Sequence, residues 1–517
     1  MDQQGKREVP FSTINTGRLG ENERKSISRS PSPDTITTTV HVDDSPKVSP
    51  RASSPKQSVI SELKENVSYN PHTQCRTKRC PNTNPLSPSK KENKPNVEQK
   101  HKRVAAKRPA PSPLKDERIV RFQGHDTRSC PWNFNLNLPQ VQFQQGIDNS
   151  ARSKTCYVCS KECIQLCDKL PKIPKRASMV HSLLEAYGLL DKMRVVPSRR
   201  ASVHELMAFH TTDYVEYLQK INDEDDSEKV DETSQEYGMG YDCPSMPGVY
   251  DLVGAVAGAT LQAAKCLLNG TATVAINWCG GWHHTRRDEA AGYVNDIMLG
   301  ILKLTEKFNR IMYIDVDLHQ GDGVEDAFSF TSKVMTVSLH KYAPGFFPST
   351  GNSNDIGIGK GRYYSVNVPL YDGIQDEQYC DIFYRIVDEA KEFYKPEVIV
   401  FQCGVDTLSG DPMCSFNLTP HGIGKCLKTV LDWKLPTLIV GGGGYNIPNT
   451  ARCWAYLTSI IVGQEIPSEI PEHEYFTEYG SDYQLEIEPS HRKNHNDGEY
   501  IESLLTTVSG NLQKINT

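Results

Sequence analysis

Asp317 and His319 stand two residues apart at the end of an apolar, β-branched run, and a third acid, Asp406, follows a second such run at 398–401. A carboxylate, an imidazole and a second carboxylate, brought together, make a three-ligand divalent site with an open position for water. Zinc suits this donor set, and an oxygen-rich site also accepts iron(II), manganese or cobalt. The tandem His283-His284 supplies what hydrolysis at such a cation requires: a group that takes a proton from water and later returns one to a leaving amine. Asp315 and Asp322 are candidates to hold those imidazoles by hydrogen bonds that fix the tautomer and raise basicity. Tyr445 follows four glycines at 441–444. Its hydroxyl suits an oxyanion opposite the cation, and the glycines allow close backbone approach. Each element alone has a bland reading, since a histidine pair is usually structural and a glycine run usually a turn. Their joint placement points to a metal-assisted hydrolase.

The elements that must position these residues follow from periodicity. β-branched runs at 273–278, 310–317, 334–339, 364–370, 398–401 and 437–440 alternate with helical spacing over 175–190, 249–268 and 374–394. That pattern predicts a mostly parallel sheet covered by helices. Ligands of such sheets gather outside the carboxyl ends of the strands, and the candidates follow the runs that end at Trp278, Asp317, Phe401 and Val440. If the chain stays extended past 315, Asp315, Asp317 and His319 project to one side.

Composition divides the chain. Of 58 Lys+Arg and 64 Asp+Glu, residues 1–120 hold 23 and 13, a net of +10, which leaves a net of −16 for the rest. The same 120 residues hold 14 of the 32 prolines and seven Ser-Pro pairs, a composition that cannot bury enough apolar surface to offset chain entropy. Residues 1–150 are therefore expected to be a disordered basic extension and linker, and 151–517 one catalytic domain. The start, Met1-Asp2-Gln3-Gln4, has no apolar h-region, an expectation against secretion, and no run of about 18 apolar residues predicts a membrane span. Fifteen cysteines, an odd number, sit mostly in apolar stretches, as in a reducing compartment. Cys156, Cys159, Cys163 and Cys167 open with a C-x2-C, but their intervals also suit one helical face, and reduced buried thiols are the preferred reading. The acidic stretch 223–231 reads as a solvated loop. Lys102-Arg103 and Lys107-Arg108 form a candidate nuclear localisation signal, and the Ser-Pro pairs are candidate phosphorylation sites. Ser178 and Ser202 follow basic residues, as kinase sites do, or bound helices.

WHHTRRDEAAG (282–292), IDVDLHQGDGVEDAF (314–328), VSLHKYAPGFFPSTG (337–351), GVDTLSGD (404–411) and GGGGYN (441–446) resemble the motifs of zinc-dependent class I histone deacetylases, in the same order and at matching intervals. KIPKRASMVHSL (172–183), GDPMCSF (410–416) and a short C-terminus narrow the resemblance to one type within that class. The resemblance implies a single arginase/deacetylase-like α/β domain and hydrolysis of N6-acetyl-lysine to lysine and acetate, with roles in chromatin and transcriptional repression. It assigns Asp317, His319 and Asp406 to zinc, His284 to general base and acid, His283 to its electrostatic companion and Tyr445 to the oxyanion. It adds Asp242 as a rim carboxylate for substrate backbone amides, with Phe347 and Met413 lining a lysine tunnel. It also implies structural potassium ions at Asp315, Asp317, His319, Ser338 and Leu339, and at Phe328, Thr331, Val334 and Tyr364.

Three departures qualify it. The family usually reads Gly-Phe-Cys-Tyr-Leu-Asn-Asp where this chain has Gly292-Tyr293-Val294-Asn295-Asp296, two residues shorter. Gly292 and Tyr293 are thus the expected tunnel wall, and the tyrosine hydroxyl would make it more polar and narrower. Gln320 replaces a usual second histidine. Pro412 stands where corepressor-bound relatives carry an inositol-phosphate-binding Arg, which implies an enzyme active without an obligate inositol-phosphate corepressor complex. Acetylated histone tails and other acetyl-lysine proteins are the expected partners, with no membrane and no direct sequence-specific nucleic-acid binding, in nucleus and cytoplasm. A deacylase for longer acyl-lysine or acetylpolyamine, or a scaffold silenced by the short 292–296 wall, are the alternatives.

Overall fold

The structure is a computed structural model that describes residues 154–223, 232–240, 243–290 and 292–516. The basic extension, most of the acidic loop and the rim candidate Asp242 lie outside the described residues. Eight strands among the described residues form one sheet: β1 (Thr155–Val158), β2 (Arg194–Val196), β3 (Val274–Asn277), β4 (Ile311–Asp315), β5 (Val334–Lys341), β6 (Ser365–Leu370), β7 (Val398–Gln402) and β8 (Thr437–Val440). Their order is β2-β1-β3-β8-β7-β4-β5-β6 and every pairing is parallel.

A parallel strand covered on both faces needs apolar residues at every position. β4 (IMYID), β7 (VIVFQ) and β8 (TLIV) are buried throughout. Alternate residues then serve opposite faces. Met312, Ile314, Ile399 and Phe401 join one apolar cluster, while Ile311, Tyr313, Val398 and Val400 join the other. The first cluster includes α2 (Arg176–Ala186), α6 (Asp376–Tyr394), α7 (Pro420–Asp432), α8 (Ile447–Val462) and α9 (Gly498–Leu512). The second includes α1 (Lys161–Cys167), α3 (Val249–Leu268), α4 (Asp296–Leu304) and residues of α5 (Asp322–Phe328). By length and composition α3 is apolar enough to cross a bilayer, but 15 of its 20 residues are buried in this core.

Six strands and three helices match the expected runs within a few residues; the edge strand β2 and its neighbour β1 were not anticipated. β1 is only four residues and β2 three, too short to show a period. The consequence for function lies in the order β3-β8-β7-β4, because these four neighbours carry the four candidate-bearing ends. Asn277, Val440, Gln402 and Asp315 are level across the sheet, so the loops that follow start from one line.

Candidate active site

The expected extension of β4 as far as His319 does not occur: the ladder ends at Asp315, and side chains take over the backbone's hydrogen bonds. Asp315 Oδ1 accepts from the Asp317 amide at 3.1 Å, Asp317 Oδ1 from the His319 amide at 3.1 Å, and Asp406 Oδ1 from the Leu318 amide at 2.9 Å. Short acceptors two residues back favour such turns over a strand. The turns still bring Asp317, His319 and Asp406 together, with one donor atom of each within 4.8 Å of the others. His319 Nδ1 lies 3.0 Å from Asp406 Oδ2 and 3.3 Å from Asp317 Oδ1.

The donor set fits a divalent cation. Asp406 Oδ2 is buried and receives no well-directed hydrogen bond despite the nearby imidazole, as expected of donors aimed at a shared centre. Burial opposes a charged imidazole, yet the close carboxylates of Asp317 and Asp406 push His319 up to about 10. Two buried carboxylates therefore demand positive charge there, and a cation in place of the proton satisfies it. The remaining oxygen of Asp317, Oδ2, accepts from Gln402 Nε2 at 2.9 Å and the Gly443 amide at 2.8 Å. Gln402 in turn accepts from the Gly404 amide at 2.7 Å through Oε1. The role of Gln402 was not anticipated, although it sits level with Asp315 at the end of β7.

The loop after β3 places the two histidines beside these acids. His283 Nδ1 bonds Asp315 Oδ2 at 2.8 Å, which also accepts from the Tyr313 hydroxyl at 2.6 Å. His284 Nδ1 bonds Asp322 Oδ1 at 2.8 Å, and Arg286 donates to Asp322 Oδ2 at 3.1 Å. The two Nε2 atoms are 3.0 Å apart. The environments separate the pair. Burial works against charge on His283, but Asp315 and Asp317 push it up to about 9. Burial and the neighbouring His283 push His284 down to about 4, and its own acid is shared with Arg286. Asn295 and Asp296 hold the loop in place: Asn295 Nδ2 donates to the His283 and Thr285 carbonyls, and Asp296 accepts from the Gly281 and Trp282 amides. Both survive the two-residue shortening before them.

Tyr445 is aimed by its backbone. Asp411 Oδ2 accepts from the Tyr445 amide at 2.8 Å and the Asn446 amide at 3.2 Å, and Asn446 caps α8. Burial and the charges of Asp406 and Asp317 push the Tyr445 phenol well above its ordinary range, so it remains a donor. Phe347 is 54% exposed with its ring 4.8 Å from His284, and Phe346, absent from the expected wall, stacks on His319 at 5.1 Å. Met413 is half-buried, its amide bonded to Asp411. Tyr293 corrects the expectation of a polar wall. Its ring lies in the apolar core and its hydroxyl donates to the Pro244 carbonyl at 2.9 Å, so that group is engaged within the protein. Gly292, at φ +114°, donates its amide to Cys243 Sγ.

Of the residues linked to potassium, Ser338 is level with Asp315 on β5, with Leu339 next to it. The Phe328 carbonyl accepts from the Thr331 amide and the Tyr364 carbonyl from the Thr336 amide, which leaves each a second lone pair, and Val334 begins β5. Ser202 is an N-cap with a full capping box, and Ser178 bonds Asp168.

Gln320 points away from the ligands into a polar group. Its Nε2 donates to Glu325 at 3.0 Å and Asn367 Nδ2 donates to the same oxygen at 2.9 Å. Burial nonetheless pushes Glu325 from 4.5 up to about 7. The folded chain therefore retains a proton that the unfolded chain has lost, so stability falls as pH rises from about 4.5 to about 7. We expect Glu325→Gln to remove that slope and to add on the order of 1 kcal/mol at pH 8 in denaturant titrations; an unchanged pH profile contradicts this.

Residues 170–461 match the family model described as Histone deacetylase domain. Histone deacetylase 8 of Danio rerio is 57% identical over 370 residues, covering 71% of this chain and 97% of that protein. For Histone deacetylase 8 of Xenopus tropicalis the figures are 60% over 362 residues, 69% and 98%. For Histone deacetylase 1 of Homo sapiens they are 43% over 347 residues, 67% and 72%.

Proposed function

The chain belongs to the histone deacetylase family, in class I and similar to histone deacetylase 8, and from that premise we propose that it hydrolyses N6-acetyl-lysine in histones and other proteins to lysine and acetate. The observation that carries this reading is the convergence, from the ends of β3, β4 and β7, of the Asp317, His319 and Asp406 donors with a histidine pair whose outer nitrogens are each held by a carboxylate.

Asp317, His319 and Asp406 would hold a divalent cation, zinc by the chemistry of one imidazole and two carboxylates. Such a cation polarises a carbonyl oxygen and makes bound water acidic. The chain's own groups do the rest. Neutral His284 takes the proton from the attacking water and later protonates the departing lysine amine, with Asp322 fixing its ring. His283, held positive by Asp315, stabilises the negative charge that develops beside it. Tyr445 donates its hydroxyl to the oxyanion, and Phe346 and Phe347 give the four-carbon lysine stem an apolar wall. We include structural potassium at the Ser338 and Phe328 groups, activity without an inositol-phosphate corepressor, and residence in nucleus and cytoplasm with a role in transcriptional repression.

The test is acetate release from acetyl-lysine histone peptides by the purified full chain alone, with and without a chelator. We expect turnover that the chelator abolishes and added zinc restores. Release only from longer acyl-lysine or acetylpolyamine substrates changes the substrate. No chelator-sensitive release from any substrate defeats the enzymatic reading, and activity that requires a corepressor domain defeats the claim of independence.

A further inference from the structure

Besides the Asp317 group, the fold gathers a second set of ligand-type side chains. Cys163 and Cys167 lie four residues apart on one face of α1, and Cys279 follows β3 by two residues. The three sulfurs are within 4.8 Å of one another. Both helix thiols are buried and Cys279 is partly so. The grouping differs from the run of cysteines visible in the sequence, because Cys156 belongs to β1 and Cys159 instead approaches His181 Nδ1 at 3.7 Å.

We propose that Cys163, Cys167 and Cys279 form a tris-thiolate site for a soft d10 cation, distinct from the Asp317 donor set. Metal–sulfur bonds of about 2.3 Å place three trigonal sulfurs roughly 4 Å apart, so the observed spacing needs only small rotamer movements. Among the described residues no carboxylate joins the group, and such ligation selects soft cations such as zinc or copper(I) over magnesium, calcium or manganese.

A buried cation supplies the second observation. Arg176 is 4% exposed and lines the same small cavity as Cys167 and Cys279. Among the described residues no carboxylate forms an ion pair with it; its Nη1 donates to the Gly444 carbonyl at 2.9 Å and it lies over Trp454. Three thiolates around a divalent cation carry one net negative charge, which Arg176 neutralises. Hydrogen bonds from Cys163 and Cys167 already hold the Cys279 thiol well below its ordinary range, against burial, and Arg176 assists. Binding exchanges thiol protons for the cation and needs no oxidant. Arg176 also touches the turn before Tyr445, so an occupied site would bear on that turn through a single side chain.

Cadmium ion alone is the probe, because cadmium–thiolate coordination gives an ultraviolet charge-transfer band that a carboxylate–imidazole site does not. The full chain, loaded with its catalytic metal and kept reduced with a non-thiol reductant, is titrated while absorbance and melting temperature are followed. We expect the band to saturate at one equivalent with a rise in melting temperature. In Cys279→Ser, and separately in the double variant Cys163→Ser/Cys167→Ser, cadmium affinity should fall at least tenfold. It should persist in Asp317→Asn and in a control lacking a remote thiol, Cys453→Ser. A band unchanged in Cys279→Ser, or no saturating band in a wild-type chain with free thiols, overturns the proposal. Catalytic activity is not the readout, so failure here leaves the deacetylase reading untouched.

Discussion

His284→Ala lowers kcat/KM for an acetyl-lysine peptide by about a hundred- to ten-thousandfold, the range over which a positioned general acid–base acts. The expectation rests on how the two imidazoles differ. The carboxylates assign the Nδ1 protons, and the charge around each ring assigns the one between the two Nε2 atoms. The Tyr313 hydroxyl and His283 Nδ1 donate to Asp315 and His284 Nδ1 donates to Asp322, while the proton shared by the two Nε2 atoms belongs to His283, whose surroundings favour charge. His284 Nε2 is then the acceptor nitrogen of the pair. Asp315 keeps most of its charge for His283, because the phenol that shares it is neutral. Asp322 divides its charge between His284 and the Arg286 guanidinium. His283 is accordingly pushed up to about 9 and His284 down to about 4, so at neutral pH one is a fixed cation and the other a free base.

His283→Ala should therefore cost less than His284→Ala, since it removes charge stabilisation and leaves the acceptor in place. Tyr445→Phe should cost about a hundred- to a thousandfold, as for one oxyanion donor, mostly in kcat. Steady-state kinetics on the three variants, each checked for retained metal and melting temperature, tests the assignment. If His283→Ala is the more damaging change, or if His284→Ala stays within tenfold of wild type, the roles are reversed or wrong.

Much of this constellation was legible because catalytic atoms attach to strand ends, and buried parallel strands declare themselves as short apolar runs. The strands ending at Asn277, Asp315, Gln402 and Val440 could be read that way, and with them the reach of His283, Asp317, Asp406 and Tyr445. What holds those groups was not legible. Gln402, Asp296 and Asp411 act through hydrogen bonds to backbone or side chains far along the chain, such as Asp411 to Tyr445 and Asp296 to Trp282. A polar residue at the end of a strand looks the same whether it braces a ligand or faces water. The cysteine group shows the same limit, since Cys279 is separated by more than 100 residues from the helix it meets. Tyr293 failed for another reason: its backbone stands at φ +68° with the ring turned into the core, and no period reports that.

The glycines carry the last of the unread information, and Gly404→Ala is the variant that exposes it. The sequence reading gave the glycines near the site the task of admitting a ligand, but several of them admit the chain's own carboxylates. A Cβ on Gly404 would lie 1.9 Å from Asp317 Oδ2 and 2.5 Å from its Cγ, and one on Gly443 would lie 2.5 Å from Asp406 Oδ2. Asp317 cannot retreat freely. Its Oδ2 is held by Gln402 and the Gly443 amide while its Oδ1 caps the His319 amide. A single methyl group at 404 therefore rotates the carboxylate away from His319 and Asp406 or displaces the strand end that carries Gln402. We expect divalent-cation affinity to fall about 10–100-fold, the usual penalty for disturbing groups that orient metal ligands, and unfolding free energy without metal to fall by about 1–3 kcal/mol from overpacking. Gly410→Ala is the comparison. Its φ is positive, at +81°, unlike that of Gly404, and the nearest atom to an added Cβ is the Asn449 side-chain nitrogen at 3.2 Å and not a ligand carboxylate. It should lose stability through backbone strain while retaining cation affinity. Isothermal titration with zinc and denaturant unfolding of the metal-free proteins separate the two effects. Equal affinity loss in both variants would mean that general destabilisation, and not the crowding of Asp317, governs the site.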